Sequence, residues 1–131
     1  MPTRPLSPHL SVYRMSRYTL ATSIANRFTG VALSAALLVL VYWLSAVAAG
    51  ARSYARALHV LTAPLMQVLY AALIVALCYH LVAGVRHLVW DTGHGLERPQ
   101  SRRSAGLVIA LSLVLVLLIA YRIWFAGMRG Q

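Results

Sequence analysis

Among the five histidines of the chain, His80 alone lies well inside a long apolar run. An ionisable side chain is expensive in hydrocarbon and marks a functional site by default, and imidazole is also a ligand for iron. On a 3.6-residue helix His80, Gly84, His87 and Asp91 recur at i, i+4, i+7 and i+11, which places them on one stripe. Gly84 removes a side chain where a flat macrocycle would approach the backbone, and Arg86 with His87 is placed to meet acidic groups at the membrane edge. The stripe therefore has the form of a haem slot. A plainer reading stands beside it: His80 bonds a neighbouring helix, Gly84 permits helix packing, and Arg86 and His87 are ordinary interfacial residues.

Counting ligands sharpens the first reading. His80 and His87 are about 10 Å apart along one helix, so they cannot occupy the two axial positions of one iron. His9, His59 and His94 lie outside the apolar runs. A bis-histidine haem would then take its second ligand from another polypeptide.

A second pair of residues precedes the first apolar run. Ser23 and Arg27 are one helical turn apart in Thr22-Ser-Ile-Ala-Asn-Arg-Phe-Thr-Gly30. A hydroxyl and a guanidinium at the membrane boundary can donate hydrogen bonds to the carbonyl of a lipid-soluble ligand such as a quinone. The alternative is a helix cap followed by a snorkelling anchor.

The elements that must position these groups follow from composition. With 60% hydrophobic and 11% charged residues in 131, the chain has no room for a substantial soluble domain. An all-α integral membrane protein is expected, with three transmembrane helices over about 28–49, 60–85 and 105–121 forming part of a heteromeric bundle. Residues 1–27 form a cytoplasmic arm and the start of the first helix; residues 28–131 form the anchor. Pro64 falls in the first turns of the second span, where a missing N–H is tolerated. Gly50 to His59 reads as a short polar turn and Trp90 to Ser104 as a longer one.

The net charge of +10 comes from twelve arginines set against Asp91 and Glu97. These arginines flank apolar runs as interfacial anchors do, so a nucleic-acid partner is not expected. Eight of them fall on the side of the N-terminus and second loop and four on the other, which predicts a cytoplasmic N-terminus. Trp43, Trp90 and Trp124 suit aromatic belts. Cys78 is the only cysteine, and without a C-x-x-C-H motif any haem would be held non-covalently. Met1 to Thr19 lacks an apolar core and a cleavage site of the usual kind, so no removable targeting sequence is expected, which favours a bacterial protein.

Two separated motifs carry a resemblance. Arg4-Pro-Leu-Ser-Pro-His-Leu-Ser-Val-Tyr13, followed by Ser23-x-x-x-Arg27-x-Thr29-Gly30-Val31-Ala32-Leu33, resembles the N-terminal signature of the cytochrome b membrane-anchor subunits of succinate dehydrogenase. Tyr79-His80-Leu-Val-Ala-Gly84-Val-Arg86-His87-Leu-Val-Trp-Asp91 resembles that family's haem-binding helix. The resemblance implies that His80 is an axial ligand of a haem b shared with a second small membrane subunit. It implies that Ser23 and Arg27 line a ubiquinone site, that His87 lies near the haem propionates or the quinone, and that Asp91 ends the haem helix. One departure stands out: the family usually has histidine immediately before the arginine matching Arg27, and this chain has Asn26, which can hydrogen-bond but cannot become cationic at neutral pH.

The implied complex links the tricarboxylic acid cycle to electron transport in the bacterial inner membrane. A flavoprotein subunit oxidises succinate, an iron–sulfur subunit carries the electrons, and ubiquinone is reduced at the membrane boundary. This chain would have no dehydrogenase chemistry of its own. Two related alternatives are a quinol:fumarate reductase anchor and a haem-free structural anchor. A small transporter would be expected to show paired intramembrane charges or broken, repeated helices, and the sequence has neither.

Overall fold

The computed structural model describes residues 17–129. Within them the chain forms α1 (Arg17–Ala48), α2 (Ala51–Leu61), α3 (Pro64–Asp91) and α4 (Arg98–Arg129). The motif Arg4 to Tyr13, with His9, lies outside the described residues.

α1, α3 and α4 are long and apolar enough to cross a membrane. Their 32, 28 and 32 residues exceed what roughly 30 Å of hydrocarbon requires at about 1.5 Å per residue. The helices therefore continue past the apolar runs, and this corrects two expectations. Gly50 to His59 is largely helical, and the longer polar turn narrows to residues 92–97.

The reasons are local. Gly50 adopts φ 91°, a left-handed conformation that breaks α1. Ala51, Arg52, Ala55, Arg56, Ala57 and Leu58 are good helix formers, and Tyr54, Ala57, Leu58 and Leu61 share one apolar face. Ala63 is extended, as a residue before proline prefers, and Pro64 then opens α3 where its missing N–H costs nothing. In α4 Pro99 sits in the first turn, and Arg102, Arg103 and Ser104 are helical ahead of the apolar run.

The interior is built from small side chains. Ala57 and Ala105 are 1% exposed, and Cys78, Ala83 and Val108 are also buried. Ser101, Ala105, Val108 and Ser112 repeat at helical spacing and form the buried face of α4. Membrane helices approach closely through such residues, because lipid offers no hydrophobic penalty to the large side chains left outside. Phe28, Val31, Leu38 and Leu117 accordingly face outward.

Up-and-down order brings the start of α1, the end of α3 and the start of α4 to one end of the bundle. α2 lies at the other. Arg102 of α4 stacks 5.2 Å from the Tyr18 ring centre of α1 at the first end.

Candidate functional site

His80 projects from α3 onto α1. Its Nδ1 lies 3.2 Å from the backbone oxygen of Asn26 and 3.2 Å from Thr29 Oγ1. A carbonyl oxygen only accepts, so the Asn26 bond assigns the ring proton to Nδ1. The Thr29 hydroxyl donates to the Ala25 and Asn26 oxygens at 2.8 and 3.0 Å, leaving its lone pairs to share the His80 N–H. With the Nδ1 proton held there, a neutral ring carries its lone pair on Nε2, the form needed to coordinate a metal.

α1 admits the ring because residue 30 is glycine. A Cβ there would lie 3.1 Å from His80 Cε1, tighter than ordinary van der Waals contact. Gly84 has a different setting: a Cβ added to it meets nothing within 4 Å. Gly84 is therefore not a packing glycine within this chain, and its side of the stripe is open.

The donor set suits haem iron. One imidazole, its Nδ1 held by a backbone carbonyl, stands one turn from an open glycine in an apolar helix. Asn26 Oδ1 is buried with no hydrogen-bond partner among the described residues, an unmet polar group on the residue that holds His80. No cluster of three or more histidine, cysteine or acidic residues competes as a metal site among the described residues.

Arg86 differs from expectation. It is 8% exposed and points into the junction of three helices. Nε donates to Ser104 Oγ at 3.0 Å, Nη1 to Thr22 Oγ1 at 3.1 Å, and Nη2 to the Ser101 backbone oxygen at 2.9 Å and to its hydroxyl at 3.3 Å. The guanidinium also lies 4.0 Å from the Trp90 ring centre. These partners occupy the face that was expected to meet acidic groups, so Arg86 is a clamp between helices. It also leaves the tally of surface arginines, whose bias keeps its direction.

His87 lies against Trp90 in an edge-on arrangement, with ring centres 5.2 Å apart, while Asp91 is exposed. The stripe is thus divided: His80 engages α1, and His87 belongs to the Trp90 cluster.

Ser23 and Arg27 occupy adjacent turns of α1, half-buried and exposed respectively. Arg27 borders an apolar groove of about 310 Å³ with Ile24, Phe28 and Val31. The turn that bears Ser23 is fixed from α3, because Tyr79 donates to the Thr22 oxygen at 2.9 Å beside the Arg86 bond to the Thr22 hydroxyl. His80 and the Ser23–Arg27 pair consequently share one end of the α1–α3 interface.

Asn26, Thr29, Gly30, Tyr79 and Arg86 support this arrangement without having been assigned these contacts from sequence. Four of the five belonged to the quoted motifs, and Asn26 entered only as a departure from the family pattern. No spacing rule, however, says which carbonyl an imidazole will meet on another helix.

Residues 1–119 match the family model described as succinate dehydrogenase/fumarate reductase transmembrane subunit. Similar proteins include the succinate dehydrogenase cytochrome b556 subunit of Paracoccus denitrificans, 43% identical over 88% of each chain. The cytochrome b556 subunit of Rickettsia prowazekii is 33% identical over 88% of this chain and 90% of its own length. The human mitochondrial cytochrome b560 subunit is 38% identical over 85% of this chain and 66% of that protein. A match across most of the length, on three apolar helices, establishes that the chain belongs to the succinate dehydrogenase/fumarate reductase transmembrane subunit family.

Proposed function

We propose that this chain is the membrane-anchoring, haem b-ligating subunit of a bacterial succinate:ubiquinone oxidoreductase, with its N-terminus in the cytoplasm. The observation that carries this reading is the His80 geometry, in which the Asn26 carbonyl takes up Nδ1 and leaves Nε2 as the nitrogen available to a metal. His80 would supply one axial ligand and a second small membrane subunit the other. The relatives named succinate dehydrogenase favour that direction over fumarate reduction, and their cytochrome b names favour a haem-bearing anchor.

Haem b, when bound, supplies one-electron redox chemistry near the quinone site. The chain's own residues supply position. The Asn26 carbonyl fixes the His80 tautomer and raises the basicity of Nε2, while Gly30 sets how closely the ring lies on α1. Arg27 would hydrogen-bond a quinone carbonyl at the membrane boundary and favour the negative charge that develops there on reduction, and Ser23 would add a second donor. His87, beside Trp90, would lie near the propionates or the quinone. Succinate oxidation on the flavoprotein subunit yields the electrons that reach this boundary through the iron–sulfur subunit.

Spectra of the purified complex test the haem reading: a reduced-minus-oxidised haem b band is expected, and its absence would leave a haem-free anchor. Arg27→Ala should lower ubiquinone reduction by about tenfold, the scale of one lost charged hydrogen bond, while succinate oxidation with an artificial acceptor persists. Equal losses with both acceptors would remove Arg27 from the quinone site. Gly30→Ala must displace the His80 ring by a few tenths of an ångström, so the electron paramagnetic resonance signature of the haem should shift. An unaltered signature would show that α1 does not set the ring position.

A further inference from the structure

We propose that the α2 end of the bundle binds an anionic phospholipid, with Arg52, Arg56 and His59 taking the phosphate and grooves beside Trp43 taking the acyl chains. This site lies at the end opposite His80 and is independent of the haem and quinone readings.

Arg52, Arg56 and His59 recur at i, i+4 and i+7 and form one exposed stripe of α2. The bond from Arg56 Nη2 to Ser53 Oγ, at 3.4 Å, is long for a charged donor. The only acidic side chains, Asp91 and Glu97, lie at and just beyond the far end of 28-residue α3, about 40 Å from its start. No carboxylate side chain of this chain can neutralise the stripe.

Topology does not account for these arginines either. The positive-inside bias places most arginines at the other end of the bundle, so Arg52 and Arg56 run against it. At the level of a short amphipathic helix joining two spans, the bilayer supplies the phosphodiester as its abundant anion.

The apolar surroundings are shaped for lipid tails. One groove, of about 380 Å³, is lined by Ala36, Leu40, Trp43, Leu58, Leu61 and Leu73 among others. A second, of about 360 Å³, is formed by Trp43, Val47, Gly50, Ala51 and Tyr54. Trp43 lines both. At 100° per residue, Ala51 and Ala55 occupy the flank of α2 between the groove face and the basic stripe. Those small side chains leave a path from tails to headgroup. A free aqueous anion would have no use for the grooves, and a partner helix filling them would have to bring acidic groups to the arginines.

Native mass spectrometry of the intact complex in nonionic detergent tests the site, with dioleoylphosphatidylglycerol or dioleoylphosphatidylcholine titrated in. Preferential retention of the anionic lipid by about tenfold is expected, and the double variant Arg52→Gln/Arg56→Gln should abolish that preference with an unchanged optical spectrum. Leu58→Trp, which fills the first groove while keeping both arginines, should weaken retention of both lipids. Equal retention of the two lipids by the wild type, or an undiminished preference in the double variant, would overturn the proposal. Displacement of the lipid by millimolar inorganic phosphate would identify a simple anion site instead. Quantitative disulfide capture of Leu58→Cys by a cysteine on the second membrane subunit would show that protein covers the groove.

Discussion

Replacing His80 by alanine in the assembled complex should eliminate the haem b absorbance band while the membrane subunits still co-purify. The two outcomes separate because the side chain contributes unequally to them. As a ligand, His80 would supply one of the two protein ligands of the proposed haem, and no other histidine of α3 could take over: His87 is about 10 Å further along the helix. As a packing group, its bond to the Asn26 carbonyl is worth only about 1 kcal/mol net, and removing the ring leaves Thr29 bonded within α1. Difference spectroscopy on matched amounts of complex measures the effect. An undiminished band would exclude His80 as the ligand. Loss of every subunit from the preparation would show that the residue acts chiefly in assembly. Succinate oxidation with an artificial acceptor should survive, since in the proposed complex that chemistry would lie on the flavoprotein subunit.

Arg86→Ala should produce the largest loss of stability available from a single position in this chain. The guanidinium joins α1, α3 and α4 through Thr22, Ser101 and Ser104 at the end of the bundle that carries His80. Hydrogen bonds from a charged donor are worth roughly 1.5–3 kcal/mol each, but burying the charge without a carboxylate opposes them. The net cost of truncation therefore falls well below the sum of the bonds. A void at a three-helix junction adds its own penalty, and a total of about 2–4 kcal/mol is expected. Thermal half-life of the complex in detergent is the measurement. Arg86→Lys should recover part of the loss, because it restores charge without the planar fork, whereas Arg86→Met should recover packing alone. An alanine variant as long-lived as the wild type would refute the clamp. The same variant should raise the apparent KM for quinone, because the Thr22 contact fixes the turn that bears Ser23.

The contrast between these two residues shows where sequence suffices. His80 is legible because a histidine in hydrocarbon demands an explanation, and its motif agreed with a known pattern. Arg86 stands in the same motif and reads as one more interfacial arginine. Its burial depends on Thr22, Ser101 and Ser104, which lie 64, 15 and 18 residues away and converge only when three helices pack. The Gly50 to His59 stretch illustrates a different limit. Its polar composition suggested a turn, but an apolar face of Tyr54, Ala57, Leu58 and Leu61 makes it the short helix α2. Hydropathy averages over a window and loses such a face.

By itself the sequence determined the all-α membrane class, three long apolar helices and the family, because these depend on composition, helical period and local motif. It also singled out His80 and the Ser23–Arg27 pair as chemically meaningful types in meaningful places. Tertiary structure decided the His80 tautomer through the Asn26 carbonyl, the close approach at Gly30, the open side at Gly84 and the diversion of Arg86 into the interior. Each of those facts turns on what a neighbouring helix does or does not bring to the residue. Periodicity fixes which face of a helix a residue occupies, whereas only packing fixes what that face meets.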